Sequence, residues 1–192
     1  MMKRTARERR EQLKTEHWSQ VTCWTGTDEK GWFRCPRTLP LVLKLLADKK
    51  VTGKFDAGSV YLELLSRHMD SGVIEMAAEG EHSYAAGYGG ARGVRTWRER
   101  MILLETIGFI KTMPGGNVRF KHVLLVHPAI AVNELHKAGK IPAEWWSYYR
   151  TRQIETKETK HEDLVQTVVP AANVLPIKPS LKKPSKPQAK SG

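Results

Sequence analysis

The stretch from Ala85 to Arg100, AAGYGGARGVRTWRER, combines four glycines with four arginines. Glycines at the mouth of a helix let backbone N–H groups approach an anion closely, which is how many proteins cradle phosphate. Arginine adds a planar fork of donors that suits phosphate oxygens and guanine edges alike. The chemistry on offer is therefore phosphate recognition, and the phosphate belongs either to a nucleotide or to a nucleic-acid backbone.

A nucleotide fits poorly. Counting from Gly87 and Gly89, a GxGxxG fingerprint needs its third glycine at position 92, which is arginine. The preceding Ser83-Tyr84-Ala85-Ala86 does not read as a buried strand, and no acidic residue follows in a clear second strand. Both are required for a dinucleotide site. The GK[ST] of a P-loop is also missing. The seven histidines are scattered, no Ser/His/Asp or paired-carboxylate arrangement stands out, and His122 and His127 read as ordinary strand residues. Cys23 and Cys35 form no CxxC unit, and with His17 they make only a thin metal pattern, so reduced thiols are expected. The expectation is a protein without catalytic residues, cofactor or metal.

Charge points to the other phosphate. The formal net charge of +12 is unevenly spread. Residues 1–15 carry six Lys/Arg against two Glu, residues 92–121 carry seven against two Glu, and residues 177–192 carry five Lys with no acid. Such clusters favour a polyanion, because neutralising phosphates releases counterions. No apolar run reaches the roughly 20 residues of a membrane span. The basic start lacks the apolar core of a secretory signal, and a cytoplasmic protein is expected.

Periodicity supplies the elements that would aim these cations. Residues 1–30 read as a basic arm, helical to about Trp18. In TLPLVLKLLADKK, Leu41, Leu45 and Leu46 recur at helical spacing beside Val42. After a break at Val51–Lys54, Asp56 is placed to cap a second helix, AGSVYLELLSRHMDSG, with Val60, Leu64 and Leu65 inward and Gly72 as its stop. Val73–Met76 suits a short strand, and Ser83 opens a brief helix ahead of the glycine turn. From Val94 to Ile107, the stripe Val94, Trp97, Met101 and Leu104 marks a long amphipathic helix closed by Gly108. Phe109–Met113 and Val118–Val123 flank a four-residue turn, PGGN, as a hairpin. Its second strand alternates Val118, Phe120 and His122 with Arg119 and Lys121, which predicts one apolar and one cationic face.

Helix, short strand, short helix, glycine turn, long helix and hairpin are the succession of a winged helix-turn-helix. The fold class expected is α+β, mainly helical. A winged-helix domain over 31–139 would be followed by an aromatic helix over 140–158 and a disordered Pro/Lys-rich tail over 159–192. In that arrangement Arg92, Arg95, Arg98 and Glu99 face a major groove to read bases, Arg towards guanine and Glu towards cytosine. Thr96 near the helix start and Lys111, Arg119 and Lys121 on the hairpin would hold backbone phosphates. The expected partner is double-stranded DNA.

The same residues resemble a known group. GSVYLELLSRH followed by SYAAGYGGARGVRTWRERMILLETIGFI is similar to the winged-helix domain of plasmid and phage replication initiators and DnaD-type replisome organisers. The matching positions are Val60-Tyr61-Leu62, Arg95-Thr96-Trp97-Arg98, Leu104-Glu105 and Gly108-Phe109-Ile110, and GWFRCPRTLP resembles the segment leading into such domains. The chain departs from them in the turn, where Ala91-Arg92-Gly93 stands in place of a Ser or Thr cap. The resemblance covers about residues 31–127. It implies a bacterial, plasmid- or nucleoid-associated DNA-binding protein of a plasmid or mobile element, acting in replication initiation or its control, with transcriptional regulation as the other role. From its residues alone, a third reading stays open. Trp145, Trp146, Tyr148 and Tyr149 crowd the helix over 142–155, which would dock a replication or partition protein or form a homodimer.

Overall fold

The structure is a computed structural model that describes residues 5–20, 31, 33–53, 55–68 and 72–158. The expected disordered tail over 159–192, Cys23, Lys54 of the expected break, and the stretch before Gly72 lie outside those residues. The fold is α+β and mainly helical, with eight helices and one three-stranded antiparallel sheet among the described residues. None of those helices is long and apolar enough to cross a membrane. The chain divides into two compact units, one ending at Val126 and one beginning at His127.

The first unit opens with α1 (Ala6–Trp18), started by a capping box in which Thr5 accepts from the Glu8 amide and Glu8 reaches back to the Thr5 amide. Next comes α2 (Leu39–Ala47), with Pro40 in its first turn, where a missing N–H costs nothing. Leu39, Val42, Leu45 and Leu46 are its buried residues, and Leu41 is only half-buried. Asp48 then caps a single turn, α3 (Lys49–Thr52), by accepting from the Lys50 amide at 2.8 Å. The next helix, α4 (Gly58–Arg67), follows a tight Asx turn in which Asp56 Oδ1 accepts from the Gly58 amide at 2.7 Å. Asp56 thus caps from one position earlier than the sequence predicts. The helix also stops earlier than expected, because His68 turns extended on the way to the sheet.

Strand β1 (Val73–Glu75) pairs with β3 (Val118–Leu125), which pairs in turn with β2 (Ile110–Gly115), giving the spatial order β1-β3-β2. Ile74 and Val123 face each other on the buried side. The hairpin turn is tighter than the predicted PGGN loop. Gly115 already pairs with Val118, leaving Gly116 and Asn117 as the turn, and Gly116 has the positive φ of 59° that primed hairpin turns require. Pro114 sits instead in an irregularity, where β3 spends four steps (His122 to Val118) against two on β2 (Met113 to Gly115). That shift breaks the predicted alternation: Phe120 and Val123 are both buried, while Lys121 and His122 are both half-buried.

Between α4 and β2 lie the short α5 (Glu79–Ala85) and the long α6 (Gly93–Thr106). Helix α5 begins four residues before Ser83, where the sequence predicts its start, because Gly80 disguises its first turn. Trp97, Met101 and Leu104 of α6 are fully buried, and Val94 is half-buried at the edge of the same stripe. Trp97 meets the Phe120 ring edge-on at 5.7 Å and lies beside His82 at 6.2 Å, so one side chain joins α5, α6 and β3. Gly108 ends α6 with φ 83°, while the Phe109 amide donates back to the Leu104 carbonyl.

The glycine turn has a specific geometry. Gly87 and Gly90 take positive φ values, the Tyr88 amide donates to the Ser83 carbonyl, and the Ser83 hydroxyl donates to the Tyr88 carbonyl at 2.7 Å. That carbonyl lies so close to α6 that a Cβ on Gly93 would stand 2.3 Å from it. A side chain at this first helical position is therefore opposed by backbone contact, and the N-cap falls on Arg92, whose side chain makes no capping hydrogen bond.

In the second unit, His127 caps α7 (Pro128–Lys137) by accepting from the Ala129 amide, and Gly139 closes it. Pro142 then leads into α8 (Ala143–Thr156). Of its four clustered aromatics, Trp145 and Tyr149 are buried, Trp146 stacks on His136 at 3.7 Å, and only Tyr148 is exposed.

Replacing Gly93 with Ala should lower stability by about 1–3 kcal/mol, because the new methyl meets rigid backbone. Gly89→Ala, whose Cβ would meet only Tyr84 at 3.9 Å, should stay within about 0.5 kcal/mol of wild type. Urea unfolding of both variants measures the contrast, and equal midpoints would contradict the crowding at Tyr88.

Candidate nucleic-acid interface

Burying Trp97, Met101 and Leu104 forces the opposite side of α6 outward, where Arg95 stands, and leaves Arg98 on the flank beside Val94 and Ile102. Arg92 is the residue before the helix and is exposed. Arg95 is more open than Arg98 or Arg100, with 85% of its side chain accessible and a long 3.4 Å contact to Glu99 one turn on. Arg98 is also exposed, but Glu79 at the start of α5 holds it: Nε donates to Glu79 Oε2 at 2.9 Å, and a second guanidinium nitrogen reaches the same oxygen. That hydrogen bond, then the carboxylate's charge, raises the Arg98 pKa against a small opposing effect of burial.

Glu99 is half-buried and shared between cations. Arg95 approaches one of its oxygens and Arg100 the other, at 3.2 Å. As a cytosine reader it would have to leave both. Thr96 is half-buried, and its carbonyl accepts from Arg100 at 3.3 Å.

The hairpin residues divide. Arg119 is exposed, with its guanidinium 5.2 Å from the Phe120 ring centroid. It shares with Arg98 a cleft of about 620 Å³, bounded by residues 77–80 ahead of and within α5, by Val94 and Ile102 of α6, and by the hairpin tip. Lys121 is bonded through Nζ to Glu75 Oε1 at 2.8 Å. Lys111 stands in one cross-strand row with Leu124 and Val73 on the face opposite buried Ile74 and Val123, away from the cleft. The structure thus brings Arg98 and Arg119 together, leaves Arg92 and Arg95 on the open side of α6, and separates Lys111 from them all.

Three contributors carry no local sequence signal. Arg100 is not a surface cation: its guanidinium lies 4.3 Å over the Phe55 ring and 5.4 Å from the Tyr88 ring, clamping α6 to the segments before α4 and after α5. Glu79 and Glu75 are the carboxylates that engage Arg98 and Lys121. Their partners lie far along the chain, and no local periodicity marks such pairs.

Neither a protein-family model, nor a curated protein, nor a solved structure matches this chain. Among the described residues, no group of three or more His, Cys, Asp or Glu is gathered to hold a metal, and Cys35 is an exposed thiol.

The Glu75 carboxyl is held below its ordinary pKa, first by the Lys121 hydrogen bond and then by its charge. A lowered folded-state value means that the pair persists above the unfolded pKa and is lost as pH falls through the folded one. Carbon-13 NMR titration should place the Glu75 midpoint below that of an ordinary glutamate, and Lys121→Met should return it to the ordinary range. A midpoint that ignores the substitution would refute the pairing.

Proposed function

We propose that this chain is a non-enzymatic, duplex-DNA-binding protein built on a winged helix-turn-helix. In this reading α5, the glycine turn and α6 form the helix-turn-helix, with α6 as the recognition helix and β2–β3 as the wing. The observation that carries the reading is that Arg98 of α6 faces Arg119 of the hairpin across one cleft, with Arg92 and Arg95 exposed on the open side of the same helix. The order α4-β1-α5-α6-β2-β3 and the strand order β1-β3-β2 support it.

The division of labour follows from exposure. Arg92 and Arg95 are the side chains freest to enter a major groove, and Arg98 joins them when Glu79 releases it. Arg119 is the wing residue best placed for a backbone phosphate, with Lys121 and Thr96 as further contacts and Lys111 on the outer face as a peripheral one. Glu99 then orients Arg95 and Arg100 rather than reading a base on its own. By resemblance, the role is replication initiation or its control on a plasmid or other mobile element. Transcriptional regulation is the alternative, and selection of bound sequences from a random pool separates them: iterated sites near an origin favour initiation, a promoter operator favours regulation. Partner docking through α8 is the weaker reading, since Tyr148 alone of its clustered aromatics is exposed.

Arg95→Ala should cost about 1–3 kcal/mol on the selected site and relax the sequence preference there, while Arg119→Ala should weaken all duplexes alike and reduce the salt slope by about one. Fluorescence polarisation across a salt series reads both. If neither substitution alters binding to any duplex, the assignment of this interface is wrong.

A further inference from the structure

Two of the cations assigned to DNA are already occupied, and by carboxylates from a single segment. Glu79 engages Arg98 with both hydrogen bonds on one oxygen, and Glu75 engages Lys121. Glu79 belongs to the wall of the cleft itself, and only 14% of its side chain is accessible. A largely desolvated carboxylate at that place repels an incoming phosphate while it holds its arginine. By contrast, Arg92 and Arg119 have no carboxylate partner among the described residues, and Arg95 has only its long contact to Glu99.

We infer that Glu79 and Glu75 are specificity-determining residues, internal anionic competitors that a nucleic acid must displace before Arg98 and Lys121 can engage it. This rests on the DNA-binding reading. The displacement costs the same on every sequence, but its recovery differs. A guanine edge offers Arg98 two acceptors in a fork-matched geometry and so replaces both hydrogen bonds lost from Glu79. A phosphate met at arbitrary register replaces them less completely. The carboxylates therefore lower sequence-independent binding more than cognate binding, which widens the ratio between the two.

The test uses the full chain and a mixed-sequence duplex, with binding measured across a salt series for wild type, Glu79→Gln, Glu75→Gln and Glu81→Gln. Glu81 is the control: it loses the same charge from the same helical turn, but its partner is Arg67 on α4. Glu79→Gln should bind about two- to fivefold tighter, the scale of one released ion pair, with a salt slope steeper by about one. Glu75→Gln should show the same direction at a site 68% exposed, where loss of the carboxylate leaves folding intact. Adding Arg98→Ala to Glu79→Gln should abolish the gain.

Equal affinities for Glu79→Gln and Glu81→Gln would reduce the effect to net charge and overturn the proposal, as would no tightening in either Glu79→Gln or Glu75→Gln. Wild-type binding with no change in the variants removes the competitors alone. Absence of duplex binding by wild type and variants at low salt removes the DNA reading and the competitors with it.

Discussion

The orientation of the arginine-bearing helix depends on one buried side chain, Trp97. It is fully enclosed, with its ring edge-on to Phe120 of β3 and beside His82 of α5. Truncating an aromatic so placed usually costs about 3–5 kcal/mol, and here the same contacts decide which way Arg95 points. Helical geometry leaves no choice once Trp97, Met101 and Leu104 are inside, because residues 95 and 99 then fall on the far side and residue 98 on the flank beside Val94 and Ile102. The crowding of Gly93 against the Tyr88 carbonyl adds a second constraint at the start of the helix, and the Arg100 clamp over Phe55 and Tyr88 adds a third.

Beneath this helix lies a charged network at odds with an apolar core. Glu63 and His82 are both buried, and one carboxylate oxygen of Glu63 meets His82 Nδ1 at 3.0 Å and Arg67 Nε at 2.6 Å. Arg67 then bridges to Glu81 on α5. A buried carboxylate persists only with such partners, and removing one from a pair of this kind typically costs about 3–5 kcal/mol. The network joins α4 to α5 as Trp97 joins α5 to α6, so the three helices form a chain of specific contacts.

Electrostatically the molecule is less simple than its net charge of +12 implies. The seven cations of residues 92–121 fall into open ones (Arg92, Arg95, Lys111, Arg119), carboxylate-bound ones (Arg98, Lys121) and one folded into the structure as a cation–π clamp (Arg100). Formal charge treats them as equals, yet only the open group is immediately available to a polyanion.

Local chemistry made much of the fold legible in the sequence. The spacing of Trp97, Met101 and Leu104 marks α6, Gly108 marks its end, and Gly116 belongs to a true hairpin turn. These signals are readable because the cause lies within a few residues of the effect. The bulge that buries both Phe120 and Val123, the early end of α4, the pairing of Glu79 with Arg98 and the role of Arg100 were not legible. Each depends on residues far apart in the chain meeting after folding. Gly93 shows the boundary most clearly: its identity breaks the expected capping pattern, and only the tertiary path of the turn, which brings the Tyr88 carbonyl against it, explains why a side chain cannot stand there.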